Sequence, residues 1–249
     1  MSDTIVKAQN LSKSFHIRKN ERTFLRTIKS FCRAKYDSDE LCVLKDISFE
    51  IKRGDKVAII GRNGCGKTTL LRILAGTYDF TSGRLSVNGN PTILFKSAVG
   101  TCSELTVVDN IYLFGAIYGL DRSFLKEKMD EILEVAELTR LAFCPLKELS
   151  RGQVVRFAFS VFSLAEGDFL MFDESLMSVD MGFAEKCKAY FKNLASSDKT
   201  VIMTSHNTNF LNDYCKIALW IDDGRIRMLG EVNEVIVAYE RDLALLNST

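Results

Sequence analysis

The segment GRNGCGKTT, residues 61–69, decides the fold of this chain. It follows KVAIIG, a short run rich in β-branched residues, and precedes TLLRILAG, whose apolar residues recur with helical spacing. A glycine-rich turn between a buried strand and a helix is the setting in which the pattern G-x-x-x-x-G-K-[ST] binds phosphate. The sequence therefore predicts a nucleotide-binding phosphate loop.

Each residue type in this loop is suited to binding phosphate for a chemical reason. Glycines let the backbone curl so that successive N–H groups face an anion, and the helix N-terminus adds partial positive charge. We expect the Lys67 amine to reach the β- and γ-phosphates and the Thr68 hydroxyl to ligate Mg²⁺. A thiolate is favoured at a helix N-terminus, so alkylation of Cys65 is predicted to block ATP binding, and MgATP is predicted to protect the thiol. The predicted nucleotide-binding residues of the loop are Gly61, Asn63, Gly64, Cys65, Gly66, Lys67, Thr68 and Thr69.

A second apolar strand, FLMFDE at residues 169–174, ends in two acids. Adjacent carboxylates at the mouth of a buried strand are costly unless a positive group lies there. Mg²⁺ on the nucleotide phosphates supplies that charge, so Asp173 is predicted to hold the ion through water. Glu174 lies one residue further and is predicted to orient or deprotonate the water that attacks the γ-phosphate. The alternative is that Glu174 is a second solvated acid at a strand end.

A histidine follows the third buried strand, KTVIMTSH at residues 199–206. An isolated histidine is usually a core or surface residue without a special role. At the carboxyl end of a parallel strand, however, His206 would lie at the same sheet edge as the phosphate loop. We therefore predict that it contacts the γ-phosphate.

The remaining chain alternates strand and helix patterns. VKAQNLSKSF, LCVLKDISFEI and GRLSVNGNPTILF each read as one strand, and YCKIALWIDDGRIRML reads as a hairpin around DDG. Helical patterns dominate an insertion at about residues 97–165, and a C-terminal helix is predicted over residues 231–246. The fold class predicted is α/β, with a mainly parallel sheet, an antiparallel β portion and a helical insertion subdomain.

An insertion between the first two strands, residues 18–41, is basic in its first half and acidic at its end. Its apolar residues fall on one face of a helix. One interpretation is a surface helix, and the other is a basic amphipathic element lying near lipid headgroups or a membrane partner. The residues of this apolar face are Phe24, Leu25, Ile28, Phe31 and Cys32.

Bulk composition narrows the class of protein. At 249 residues with 47% hydrophobic residues, the chain is predicted to be one domain, residues 1–249, with a sizeable core. A net charge of +1 gives no global basicity that would argue for nucleic acid, and any charged partner must be met by a local patch. No nucleic-acid partner is predicted. The seven cysteines lack zinc-ligand or disulfide-framework spacing and are predicted to be reduced thiols of a cytoplasmic protein. No apolar run is long enough to cross a bilayer.

A fourth motif, LSRGQ at residues 149–153, completes an ordered set. The phosphate loop, LSRGQ, the strand ending in Asp-Glu, the turn SLMSVD and the later histidine together resemble the ATP-binding subunit of ABC transporters. The resemblance extends from Phe15 to about Glu231. It implies a RecA-like phosphate-loop NTPase core that binds ATP and Mg²⁺ and hydrolyses ATP, with Lys67, Glu174 and His206 as its catalytic residues.

The same resemblance implies a partner arrangement. Two subunits face head to tail as a homodimer, and each ATP lies between one phosphate loop and the other subunit's LSRGQ motif. Closure of this dimer drives an integral membrane permease. Ser150, Gly152 and Gln153 would touch the partner's ATP, Asp180 would form the dimer-contact turn, and Phe15 would stack on adenine.

Two departures from the family pattern accompany the resemblance. Arg151 replaces the first glycine of the signature and adds a cation beside the partner's ATP. The loop that usually carries a glutamine has Lys96 or Ser97 near its place, so any relay to the permease there uses a different contact.

The missing glutamine, the phrase VDMGFAEKC and the insertion between the first two strands resemble exporters of lipid-linked polysaccharide, such as O-antigen, capsule or teichoic acid. The expected function is ATP-driven export of a lipid-linked glycan, with this chain peripheral on the cytoplasmic face of the inner membrane.

An ABC ATPase for lipid or drug cargo is the alternative. A soluble ABC ATPase acting on ribosomes or DNA is disfavoured by the single phosphate loop and the lack of sustained heptads. A phosphate-loop kinase would leave LSRGQ unexplained.

Overall fold

The computed structural model describes residues 3–18, 38–94, 100–173 and 181–246. Short 3-10 turns at Thr139–Leu141 and Leu146–Glu148 lie between its fourth and fifth α-helices. In chain order the elements are β1 (Thr4–Arg18), β2 (Ser38–Lys52), β3 (Lys56–Ile60), α1 (Lys67–Leu74), β4 (Ser82–Val87), β5 (Pro91–Leu94), α2 (Val107–Ile117), α3 (Arg122–Glu127), α4 (Met129–Ala136), α5 (Arg151–Phe162), β6 (Phe169–Asp173), α6 (Met181–Ser196), β7 (Thr200–Thr204), α7 (Thr208–Tyr214), β8 (Ile217–Asp222), β9 (Arg225–Glu231) and α8 (Val232–Leu246).

A six-stranded sheet with the order β5-β6-β7-β3-β8-β9 forms the centre of the molecule. All its neighbouring strands run parallel except the β8–β9 hairpin. Every residue of β3, β6 and β7 is buried, as expected for strands covered on both faces. This arrangement confirms the predicted α/β class with a mainly parallel sheet, and it brings the carboxyl ends of β3, β6 and β7 to one edge.

A three-stranded antiparallel sheet, ordered β2-β1-β4, confirms the predicted antiparallel portion. It meets the central sheet at the β8–β9 turn, where the Lys45 N–H donates to the Gly224 carbonyl at 2.7 Å and the Lys45 amine pairs with Asp223 at 2.7 Å. Gly224 has a φ of +74°, and a Cβ on it would lie 2.4 Å from the Val43 carbonyl oxygen. Only glycine therefore fits this contact between the two sheets.

The segment GRLSVNGNPTILF was predicted as one strand, and this is wrong. Its first half is β4 in the antiparallel sheet, and its second half is β5 in the central sheet. Asn88 ends β4, because its backbone N–H donates to Ile5 and its side-chain amide donates to Thr4. Gly89 follows with a φ of +143°, which turns the chain from one sheet to the other.

The insertion predicted at residues 18–41 is shorter than expected. Arg18 belongs to β1 and pairs with Ser38 of β2, so residues 38–41 are strand. The apolar helical face predicted within this insertion lies outside the described residues.

Two apolar clusters pack on the two faces of the central sheet. One contains α1 and the inner face of the antiparallel sheet, including Ile5, Leu44 and Leu70. The other contains residues of α2 to α8. Aromatic rings join its helices to the sheet: Phe162 of α5 lies edge-on to Phe172 of β6, with ring centroids 5.1 Å apart. The helices α2 to α5, between Val107 and Phe162, lie within the predicted helical insertion.

The cysteines of the described residues are free thiols, and Cys65, Cys187 and Cys215 are buried among them. Within the same part of the chain, every helix is too short or too polar to cross a bilayer.

Candidate functional site

The carboxyl edge of the central sheet gathers most of the predicted site. Thr204 of β7 pairs with Asp173 of β6 on one side and with Ile59 of β3 on the other. Gly61 and His206 follow two residues after Ile59 and Thr204, respectively. Open α/β sheets bind ligands at this edge.

The phosphate loop passes close to its neighbours, which explains two of its glycines. A Cβ on Gly61 would lie 2.2 Å from the Ile221 carbonyl oxygen, and one on Gly66 would lie 2.6 Å from a Leu44 methyl group. Gly64 has open space around it and a φ of +82°. The loop borders an open cleft of about 240 Å³, which is lined by Val43, Asn63, Gly64, Gly66, Lys67, Thr68 and Thr69.

Val43 is a wall of this cleft that the sequence analysis missed. It lies on β2, nearly 20 residues before the loop. Pairing of β1 with β2 and the contact at Gly224 bring it there. Its position depends on contact between two sheets, which local patterns do not reveal.

Lys67 begins α1, and its side chain is buried. Its amine donates hydrogen bonds to the carbonyls of Gly61 at 2.9 Å and Arg62 at 3.2 Å. The cation is thereby held across the mouth of its own loop, where an anion cradled by the loop would meet it.

A buried carboxylate lies opposite the start of α1. The Thr68 hydroxyl donates to Asp173 at 3.0 Å, and the Thr204 hydroxyl donates to the same Asp173 oxygen at 3.2 Å. Asp173 is only 5% exposed. Carboxylate and hydroxyl oxygens are ligands that Mg²⁺ accepts, so Thr68 and Asp173 fit the ion predicted there. Thr204 was missed, although a threonine in the strand beside Asp173 was the available signal.

The structure contradicts the expectation that a thiolate is favoured at Cys65, whereas the effect of alkylation on ATP binding stays a prediction. The Cys65 side chain packs in the apolar cluster beneath the loop. Burial raises the pKa of the thiol, and this effect exceeds the opposing influence of the Lys67 cation. The helix N-terminus therefore does not make Cys65 a readily formed thiolate.

The LSRGQ motif forms the start of α5. Ser150 is the N-cap: its hydroxyl accepts from the Gln153 N–H at 3.3 Å, while the Gln153 side chain accepts from the Ser150 N–H at 2.8 Å. This capping box fixes both residues in place. A Cβ on Gly152 would meet no atom within 4 Å, and Arg151 is exposed. Within the described chain, no hydrogen bond links Ser150 or Gln153 to the phosphate loop.

Two further predicted residues lie in the described structure. His206 is exposed after the buried end of β7, and the next residue, Asn207, caps α7 by accepting from the Phe210 N–H at 3.1 Å. Phe15 of β1 is half-buried; its ring centroid lies 5.7 Å from that of Tyr78 and 4.8 Å from the Lys13 amine. Their contacts with γ-phosphate and adenine stay predictions.

Among the residues that the sequence predicts at the ATP site, Glu174 and Asp180 lie outside the described residues. Lys96 and Ser97, near the place of the glutamine loop, also lie outside them.

Comparison with known proteins gives a consistent result. Residues 44–177 match the sequence profile described as ABC transporter. The O-antigen export system ATP-binding protein RfbB of Myxococcus xanthus is 32% identical, over 95% of this chain and 56% of that protein. Its namesake from Klebsiella pneumoniae is 33% identical, over 81% and 82% of the two chains. The teichoic acids export ATP-binding protein TagH of Lactococcus lactis is 30% identical, over 95% and 50%. The chain thus spans about half the length of two of these relatives.

Solved structures share the fold. A dimeric ATP-binding cassette in a post-hydrolysis state, bound to ADP and Pi, superposes with a TM-score of 0.73 at 21% identity, covering 91% of this chain and 98% of that one. The cbiO1 protein of Clostridium perfringens, part of the complex cbiONQ, gives a TM-score of 0.65 at 25% identity, covering 98% and 96%.

Proposed function

Because the chain belongs to the ABC transporter family, we propose that it is the ATP-hydrolysing subunit of an exporter of lipid-linked polysaccharide. The observation that carries the ATPase is the joining of the phosphate loop to Asp173 through Thr68 at 3.0 Å. The cargo is supported by the relatives named for O-antigen and teichoic acid export, which align with 81–95% of this chain. An ABC ATPase for a lipid or drug cargo is the second candidate.

The loop and its neighbours would bind the ATP phosphates. Asn63, Gly64 and residues 66–69 line the cleft at the start of α1, where N–H groups of the helix N-terminus would meet an anion, and the Lys67 amine adds a fixed positive charge. Thr68 and Asp173 would hold Mg²⁺, which neutralises charge on the β- and γ-phosphates when it is bound. Thr204 keeps the Asp173 carboxylate oriented by its hydrogen bond.

Hydrolysis needs a positioned water and a sensor for the γ-phosphate. We assign the first task to Glu174, which follows the ion-binding Asp173 by one residue, and the second to His206 at the neighbouring strand end. Phe15 would stack on the adenine, because an aromatic face offers contact to a base without hydrogen-bonding demands.

The second half of each site would come from another copy of this chain. The N-terminus of α5 carries partial positive charge, and Gly152 leaves it open to close approach. Ser150 and Gln153 would meet the partner's γ-phosphate there, with Arg151 adding a cation and Asp180 forming the contact turn.

A membrane permease would be the second partner. We treat residues 1–249 as one ATP-binding domain with a helical insertion at about 97–165, a surface segment at 18–41 and a C-terminal helix at 231–246. Exposed Leu113 and Ile117 of α2 supply an apolar surface on the insertion. The chain would then lie on the cytoplasmic face of the inner membrane, and the permease would handle the glycan.

ATP hydrolysis by the purified chain tests the enzymatic part. We expect Glu174→Gln to retain ATP binding, lose most hydrolysis and form an ATP-dependent dimer in size-exclusion chromatography. Hydrolysis at the parent rate by this variant would overturn the role of Glu174.

Deletion of the gene tests the cargo. The proposal predicts lipid-linked glycan retained on the cytoplasmic side of the membrane and a cell surface that lacks it. A normal surface without accumulation, in a strain that expresses the protein, would remove glycan as the cargo and favour lipid or drug export.

A further inference from the structure

Three helices are joined by one glutamate. Glu137 follows α4 and has a φ of +60°, the left-handed conformation in which glycine is usual at a helix C-terminus. One of its carboxylate oxygens pairs with Arg156 of α5, and the other pairs with Lys186 of α6 at 3.1 Å. Each oxygen thus holds a cation from a different helix.

Both cations lie in the second turn of their helices. α5 begins directly after Ser150 of the LSRGQ motif, and α6 begins at residue 181, after the segment that follows Asp173. The carboxylate of Glu137 therefore connects the two helices whose N-termini adjoin motifs assigned to ATP.

The packing below this carboxylate makes the link specific. The Arg156 guanidinium is mostly covered, and its centre lies 5.9 Å from the ring centroid of the buried Phe183 on α6. Phe159 of α5 meets the same ring edge-on at 5.5 Å. Lys186 also donates to the Val135 carbonyl of α4 at 3.3 Å. A shift of α5 against α6 would break these contacts together.

Glutamate is an unusual choice for this position. Its pair with the exposed Lys186 contributes little to folding, because solvent screens it and long side chains lose entropy, whereas the Arg156 side chain is only 20% exposed. A left-handed backbone is also unfavourable for a residue with a Cβ, and glycine would relieve it. Glu137 therefore stands where glycine would end the helix more favourably, and its carboxylate holds two cations.

We propose that Glu137 is a positioning residue that fixes α5 relative to α6 and so sets the LSRGQ end against the Asp173 end of the site. This inference rests on the proposed function. It concerns assembly of the ATP-bound dimer and leaves binding of ATP to the chain's own phosphate loop unchanged.

Glu137→Gly is the decisive variant, because it removes the carboxylate while relaxing the backbone. We expect the backbone relief to offset part of the loss of the Arg156 pair, the KM for ATP to stay unchanged and kcat to fall about fivefold or more, the low end of coupling between sites. Glu137→Asp keeps the charge and should recover part of the rate. Glu185→Gln is the matched control, since it breaks the Glu185–Lys188 pair within α6 and should keep parent kinetics.

Hydrogen–deuterium exchange gives a readout that does not need hydrolysis. In Glu137→Gly, amides of residues 151–156 and 181–186 should exchange faster than in the parent, whereas Glu185→Gln should leave residues 151–156 unchanged. Parent exchange at both helix starts, or parent kcat in Glu137→Gly, overturns the inference. A parent chain that hydrolyses no ATP overturns the proposed function instead, and the exchange result still decides whether Glu137 fixes the helices.

Discussion

Replacing Gly224 by alanine tests the contact between the two sheets at the nucleotide cleft. A matched control exists, because Gly76 has a φ of +69° against +74° for Gly224 but has no atom within 4 Å of a Cβ. A left-handed alanine costs about 1–2 kcal/mol at either position. At Gly224 the new Cβ also meets the Val43 carbonyl oxygen at 2.4 Å, and overpacking of this kind costs about 1–3 kcal/mol more.

The two variants should therefore separate in stability and in binding. For a chain of this length, about 1 kcal/mol shifts the Tm by about 2–4 °C, so Gly224→Ala should melt at least about 2 °C below Gly76→Ala. Because Val43 lines the cleft, Gly224→Ala should also bind a fluorescent ATP analogue more weakly, while Gly76→Ala should bind it like the parent. Equal melting temperatures or equal affinities would refute the contact as described.

Three further outcomes follow from buried thiols and the aromatic ring. A maleimide should label exposed Cys42 faster than Cys65 in the native chain, because burial raises the pKa of Cys65. Mass spectrometry of the labelled peptides would measure both labelling rates, and equal rates would contradict the prediction. Burial raises the pKa of Cys187 to about 12, so above about pH 8.5 the unfolded thiol loses its proton before the folded one and stability falls. Between pH 7.5 and 9.5, the free energy of unfolding in urea should fall by about 1.4 kcal/mol more in the parent than in Cys187→Ala. Equal falls in the two proteins would rule out this contribution of Cys187. Phe15→Ala should weaken binding of ATP but not of inorganic triphosphate, and an equal loss for both would remove the stacking role.

Much of the central sheet could be predicted because its signals are local. β3, β6 and β7 are short apolar runs. Gly61 follows β3 directly, Asp173 is the last residue of β6, and His206 lies two residues after the end of β7. Parallel strands share one carboxyl edge, so identifying the strands also indicated the candidate site. The family and the fold class were predicted from local motifs and strands of this kind, and both predictions were confirmed.

Other features depend on contacts between distant residues. The alternation in GRLSVNGNPTILF continues through Gly89, so the pattern does not reveal that β4 and β5 join different sheets. The sequence suggested a Cys65 thiolate because the helix N-terminus can be recognised from local residues, whereas the apolar cluster beneath the loop cannot. Thr204 gained its role only through its register beside Asp173.

The pairing of Arg18 with Ser38 makes the β1–β2 ribbon a natural position for protein engineering. Both ends of the intervening residues 19–37 are anchored at one point, so the register of the two strands does not depend on how many residues connect them. Loop-closure entropy grows slowly with length, by about 0.6 kcal/mol for each doubling. A reporter domain grafted between these two residues should therefore fold alongside the cassette, and a short turn replacing residues 19–37 would separate what that segment does from what the ATP site does.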